Sequence, residues 1–176
     1  MKILASGLLL LATFFALSCD SETSTDRSKA GTNSHGTLPK FTLQQLDGSK
    51  IDFAQFSGKV LLVDFWAIWC KPCIDEIPAY NALHDKYSSA NFALVAITME
   101  SGNASTIAQF AAQHDIEYPV FIGNAEAASA FGGLRGYPST FVLDQNGQIR
   151  KSYIGGGRAK NEEIDALVQE LLNEAS

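Results

Sequence analysis

The sequence predicts an α/β domain, a mixed central sheet between helices, and three observations predict it. Val60 to Trp66 is an apolar run broken only at Asp64, the pattern of a strand covered on both faces. Helical periodicity begins directly afterwards at Lys71, so strand and helix alternate. Near the end, Asn146-Gly147 joins two strand-like runs ahead of a last amphipathic helix, which makes that side of the sheet antiparallel. The full predicted order is a hairpin followed by β-α-β-α-β-α-β-β-α.

The chain divides into three segments. Residues 1–18 read as an export signal: Lys2 supplies a minimal positive start, and the apolar run Ile3 to Leu17 is shorter than the ~20 residues of a comfortable membrane span. The run ends in Ala16-Leu17-Ser18-Cys19. Residues 19–37 contain almost no large apolar side chain after Cys19 and read as a disordered tether, with His35 solvated in it. About 18 such residues reach roughly 25 Å on average and about 60 Å when stretched. Residues 38–176 form the domain.

Within the domain, Phe41 to Leu46 and Lys50 to Phe53 flank Asp47-Gly48 and predict the hairpin. Ser57-Gly58 turns the chain into the central strand. The first helix is expected from Lys71 to about Tyr87, with Ile74, Ile77, Tyr80 and Leu83 inward, His84 solvated and a kink at Pro78. Asn91 to Met99 is the next buried strand. Ala104 to His114 follows as a helix with Ile107, Phe110 and Ala111 inward and His114 at the surface. Tyr118 to Ile122 is a short strand and Glu126 to Phe131 a short helix. Strands Phe141 to Asp144 and Ile149 to Ile154 form the terminal hairpin, broken by Gly155-Gly156-Gly157. The last helix is expected to start near an Asn161 cap, with Ile164, Leu167, Val168, Leu171 and Leu172 inward.

The chemistry concentrates at Cys70-Lys71-Pro72-Cys73, placed where the central strand gives way to a helix. A helix N-terminus offers free N–H groups and partial positive charge. Both favour a thiolate on Cys70, and the thiolate is the nucleophile of disulfide exchange. Cys73 lies one turn further on, within reach of a mixed disulfide formed at Cys70. Pro72 suits a first helical turn because it needs no N–H partner. Lys71 between the cysteines either helps the thiolate or is solvated. A zinc site needs four ligands, and no second Cys pair or Cys/His cluster accompanies this one. A purely structural disulfide this short would stabilise little.

The run VDFWAIWCKPC closely resembles the active site of the thioredoxin superfamily, and Cys70-x-x-Cys73-x-x-Glu76-x-Pro78 is similar to its TlpA/ResA-type, membrane-anchored extracytoplasmic branch. The likeness covers roughly Leu38 to the C-terminus. It implies a thioredoxin fold with an added N-terminal β-hairpin and a helical insert before Phe121. Cys70 becomes the attacking thiolate and Cys73 the resolving thiol. The pattern Gly136-Tyr137-Pro138-Ser139-Thr140 resembles the family's cis-proline loop, which implies a cis Tyr137–Pro138 bond facing Cys70. Asp64 is a carboxylate in a buried strand, so burial is expected to raise its pKa. The resemblance gives both Asp64 and Glu76 a part in proton transfer to and from the resolving thiol, without deciding between them; the alternative for Glu76 is an exposed first-turn residue. Trp66 is expected in the core and Trp69 over Cys70. Trp69, Pro72, Tyr137 and Pro138 would contact substrate, with the Tyr137 backbone pairing an extended segment as an added strand.

Ala16-Leu17-Ser18-Cys19 resembles a bacterial lipoprotein processing site, which implies a lipidated Cys19 and a domain held outside the cytoplasm, on the inner membrane's outer face in a diderm host. The 176 residues, 46% hydrophobic and 18% charged, suit one domain, and a net charge of −6 without a basic patch excludes nucleic acid as a partner. No cofactor or metal is expected. The leading function is reduction of protein disulfides, since Pro72 stands where strong oxidants carry His. Apocytochrome c is one candidate client, although Ser139 follows Pro138 where dedicated cytochrome-maturation members carry an acid. The family implies a membrane thiol donor of the DsbD/CcdA type. The alternatives are a disulfide oxidase or isomerase, a thiol peroxidase and a copper carrier. Ala67 stands where a peroxidase needs Thr, and a copper carrier needs a wider Cys spacing and a His partner.

Overall fold

A computed structural model describes residues 38–174. The predicted signal, Cys19 and the tether lie outside the described residues. Seven strands form one sheet in the order β2-β1-β5-β4-β3-β6-β7. β1 (Thr42–Gln45) and β2 (Lys50–Asp52) make the expected hairpin. A 3₁₀ turn, Phe53–Phe56, follows it, capped by the Asp52 carboxylate, which accepts from the Ala54 N–H.

β3 (Val60–Trp66) is buried at every residue. It runs parallel to β4 (Phe92–Thr98) and antiparallel to β6 (Ser139–Leu143). β5 (Val120–Ile122) is parallel to β4, and β7 (Ile149–Ile154) closes the far edge against β6. Helices α1 (Lys71–Lys86), α2 (Ala104–Gln113), α3 (Ala125–Ala130) and α4 (Arg158–Glu174) complete the order predicted from the sequence. Asn103 and Asn124 cap α2 and α3 by accepting N–H bonds three residues on.

The pleat of β3 sorts the core into two layers. Val60, Leu62 and Trp66 pack with Tyr80 and Leu83 of α1, Ile107 of α2, and Ile164, Val168 and Leu171 of α4. Leu61, Val63 and Phe65 face the other way, into Phe41, Phe53, Phe121 and Phe131. That second side is covered mainly by the hairpin region and the six-residue α3, where Phe41 stacks on Phe53 at 4.5 Å. Asp64, an even-numbered residue of β3, belongs to the α1 and α4 side, as do both active-site cysteines.

Several boundaries differ from expectation. β5 begins at Val120, two residues after Tyr118, and β6 begins at Ser139, two residues before Phe141. α1 runs on past Pro78 as expected, with the proline exposed. Its buried stripe includes Cys73 and Glu76, whereas Ile74 is half-buried. Phe110 and Ala111 are half-buried. His84 and His114 are also half-buried, His114 with its ring 4.1 Å from Phe110. The largest correction is α4, which starts at Arg158 and not at an Asn161 cap: the Asn161 N–H already donates to the Gly157 carbonyl. The three glycines end the strand and leave room for one more helical turn, which carries Lys160.

Candidate active site

The site assembles at the C-terminal end of β3. Cys70 caps α1: its Sγ accepts the Cys73 N–H at 3.3 Å, and Pro72 occupies the first turn. Cys70 and Cys73 are joined as a disulfide with Cα atoms 5.3 Å apart, and each residue is 5% exposed. The preceding loop is pinned by Ser101, whose buried hydroxyl accepts the Ile68 N–H and donates to the Met99 carbonyl. Lys71 does not reach toward the disulfide's buried side. It is highly exposed and paired with Asp75, the solvated alternative of the sequence reading.

Register places the proline loop beside this turn. Phe65 pairs with Ser139, so Tyr137 and Pro138, joined by a cis peptide, sit at the same end of the sheet as Cys70. The Pro138 carbonyl accepts from the Gly155 N–H at 2.8 Å. Among the described residues, neither the N–H nor the C=O of Tyr137 has a hydrogen-bond partner. Trp69 is 60% exposed, donates its indole N–H to the Glu100 carbonyl and meets the Tyr137 ring edge-on at 5.6 Å. Glu100 itself adopts a left-handed backbone, φ 49°, a conformation held at some cost by this loop. Ile154, 64% exposed, pairs with Ser139 across β6 and adds an apolar side chain next to the loop.

Beneath the disulfide lies a buried polar layer. Glu76, on the same face of α1 as Cys73, accepts from Lys160 Nζ at 2.7 Å and from the Gly157 N–H at 3.2 Å. The exposed first-turn alternative for Glu76 is therefore excluded. Asp64 Oδ1 accepts from the hydroxyl of Thr140, its cross-strand partner, at 2.7 Å and from the Tyr80 hydroxyl at 3.4 Å. Lys160 Nζ also donates to Thr140 Oγ1 at 3.1 Å and lies 5.7 Å from the centre of the Tyr80 ring. Burial pushes the Asp64 carboxyl up to about 6, against the pull of Lys160 and the Thr140 hydroxyl. Burial also raises Glu76, opposed by Lys160. The Glu76 end of the layer lines a groove of about 450 Å³ between α1 and α4.

The structure thus brings together Asp64, Trp69, Cys70, Pro72, Cys73, Glu76, Tyr137 and Pro138, while Cys19 lies outside the described residues. Sequence reasoning missed Lys160, Thr140, Gly156 and Ile154. A signal for Lys160 exists: it stands four residues before Ile164 and eight before Val168, on the inward stripe of α4 continued back one turn. Gly156 is required by close approach, since a Cβ there would lie 3.1 Å from the Pro72 carbonyl and 3.2 Å from the Glu76 carboxyl carbon.

Comparison with known proteins agrees with this geometry. The AhpC/TSA family model matches residues 35–152. The chain is 32% identical over 131 residues to the thioredoxin-like protein YneN of Bacillus subtilis, spanning 73% of this chain and 76% of that one. It is 27% identical over 133 residues to the thiol-disulfide oxidoreductase ResA of Bacillus cereus, covering 76% and 75%. The crystal structure of a thioredoxin-family thiol:disulfide interchange protein from Chlorobium tepidum superposes with a TM-score of 0.69 at 27% identity, covering 81% of this chain and 99% of that one. With the disulfide of Cys70 and Cys73 at the mouth of α1, the chain belongs to the AhpC/TSA family as a thioredoxin-like thiol–disulfide oxidoreductase.

Proposed function

We propose that this oxidoreductase reduces protein disulfides outside the cytoplasm. One observation carries the reading: a Cys-x-Pro-Cys pair at a helix N-terminus lies beside a proline loop whose Tyr137 backbone is unpaired among the described residues and flanked by exposed Trp69 and Ile154. An extended client segment can add as a strand to Tyr137, while the apolar side chains hold it without strong sequence preference. Pro72 and Pro138 shape the two walls of that contact. Cys70 thiolate attacks the client disulfide and forms a mixed disulfide. Cys73 gives its proton to a buried carboxylate, Asp64 or Glu76, and attacks Cys70 Sγ. The client leaves reduced and the enzyme is left as the Cys70–Cys73 disulfide.

The remaining assignments rest on the sequence. Residues 1–18 act as a lipoprotein signal, Cys19 carries the lipid, and 19–37 tether the domain 38–176 to the outer face of the membrane. Among the described residues no helix is long and apolar enough to cross a membrane. A membrane thiol donor of the DsbD/CcdA type would recharge the enzyme, and apocytochrome c is a client to try first. Peroxide is the second substrate to test because of the family matched, but fully buried Ala67 stands where a peroxidase needs Thr.

The test is the equilibrium reduction potential of the Cys70/Cys73 pair. A value near or below roughly −250 mV, the thioredoxin range, supports a reductant. A value near about −120 mV, that of a strong oxidase, reverses the direction and overturns the proposal.

A further inference from the structure

The buried layer contains one cation and two carboxylates, held differently. Glu76 receives two hydrogen bonds with charge or backbone dipole behind them, from Lys160 Nζ and the Gly157 N–H. Among the described residues, Asp64 receives only hydroxyl donors, Thr140 and Tyr80. Thr140 has one proton to donate. Lys160 can only donate to it, and of the two acceptors in reach the Asp64 carboxylate at 2.7 Å is nearer and stronger than the Tyr80 hydroxyl at 3.3 Å, so the Thr140 proton points at Asp64. One cation balances one carboxylate; a second ionised carboxylate in the same dry layer is uncompensated, and a proton settles there at least cost.

We propose that Lys160 and Thr140 are positioning residues of the exchange reaction: Lys160 holds Glu76 ionised, and Thr140 relays that cation's orientation to Asp64, leaving Asp64 as the seat of the proton given up by Cys73. The proposal rests on Cys73 being the resolving thiol. The step balances without a further reagent. The Cys73 Sγ–H proton moves to Asp64, the thiolate forms the Cys70–Cys73 bond, and the bond from Cys70 to the client breaks. The electron pair leaves on the client sulfur, which takes a proton from water.

The charged and titratable groups facing Asp64 are Glu76 and Tyr80 from α1, Tyr118 ahead of β5, and Lys160 from α4, joined in the reduced protein by the Cys73 thiol whose proton it would take. Asp75, Lys86, Arg158, Glu162 and Asp165 lie further out, around the groove that Glu76 lines. Removing the two carboxylate partners therefore has opposite signs. Lys160→Met takes away the attraction that favours ionised Asp64 and moves its titration up. Glu76→Gln takes away a repelling charge and moves it down.

The experiment is single-turnover reduction of insulin by the reduced protein, followed by stopped flow from pH 5 to 9. The wild type should show a rising limb near pH 6. Lys160→Met should move that limb up by about one pH unit and slow the reaction at pH 6 by about fivefold. Glu76→Gln should move the limb down. Thr140→Val should move it up, and Thr140→Ser should restore it. Melting curves of each oxidised variant identify any that fail to fold, and the Val/Ser pair at Thr140 remains decisive if Lys160→Met does not. A limb unmoved in folded Thr140→Val, or abolished by Glu76→Gln, overturns the proposal. Cys73→Ala separates the underlying reading: if it traps no mixed disulfide with insulin, the assignment of Cys73 itself is wrong.

Discussion

Two regions meet at the same disulfide and are built by opposite rules. The outer one, Trp69, Tyr137 and Ile154, is exposed, largely apolar and short of hydrogen bonds. The inner one, Asp64, Glu76, Tyr80, Thr140 and Lys160, is buried, charged and joined by hydrogen bonds throughout. An exposed apolar rim costs the fold little and gains its free energy when a client covers it. A buried ionic layer costs the fold desolvation at all times and returns that cost as control over protons. Changes in the outer region should therefore move client affinity alone, and changes in the inner region should move stability and pH dependence.

The largest effect is expected where the two regions join. Cys73→Ala should reduce multiple-turnover insulin reduction on the order of 10³-fold or more, because the mixed disulfide at Cys70 loses its resolving thiol. Non-reducing gels should show the covalent adduct accumulating, and its absence would detach Cys73 from the reaction.

The inner region should next reveal itself through stability. Asp64 titrates at about 6 in the folded protein against the ordinary 3.8, so the folded state holds the proton more tightly than the unfolded one. Stability is then greatest below pH 4 on this group's account, falls between about pH 4 and 6, and stays reduced above. Two units correspond to about 3 kcal/mol at ~1.4 kcal/mol per unit, an upper bound for the gain from Asp64→Asn at pH 8. Guanidinium unfolding of the oxidised variant at pH 4 and pH 8 checks the sign. Glu76, also raised by burial, adds a slope in the same direction. A variant less stable than wild type at pH 8 would mean that the layer is compensated better than its geometry indicates.

Gly156→Ala tests how tightly the glycine loop is fitted against the inner region. The added methyl would meet the Pro72 carbonyl and the Glu76 carboxyl at 3.1 and 3.2 Å. A backbone atom cannot swing away, so a loss of ~1–2 kcal/mol is expected by thermal melting. An unchanged melting temperature would show that the loop yields freely.

Sequence legibility followed the same division. The element order, the hairpins and the cysteine pair are visible because each has a short local signature: an apolar run, Asp-Gly or Asn-Gly, Cys-x-x-Cys; the cis bond came only from the resemblance of Gly-Tyr-Pro to the family's loop. Asp64 and Glu76 stood out as carboxylates at known offsets from the cysteines. Lys160 did not, because the Asn161 cap reading placed it outside the helix, and its pairing with Glu76 spans 84 residues. Thr140 read only as the last residue of the proline loop, since only the β3–β6 register sets it opposite Asp64. Ile154 escaped for the same reason: pairing across β6, and not sequence spacing, brings it to the proline loop.

The smallest expected effects belong to the outer region. Trp69→Ala deletes a ring that is 60% exposed, with one indole hydrogen bond and an edge contact to Tyr137. Ile154→Ser deletes an apolar side chain that is 64% exposed. Surface changes of this kind usually stay within about 0.5 kcal/mol of wild-type stability. Each should nevertheless raise KM for insulin by roughly 3- to 10-fold, about 0.7–1.4 kcal/mol of lost contact, while kcat holds. The two sites should add in the double variant if they touch separate parts of the client. Ile154 is the sharper probe, because it lies one strand away from the cysteines. A fall in kcat at Ile154→Ser would mean that the rim orients the disulfide for attack as well as binding the chain that carries it, and the clean separation between the two regions would be lost.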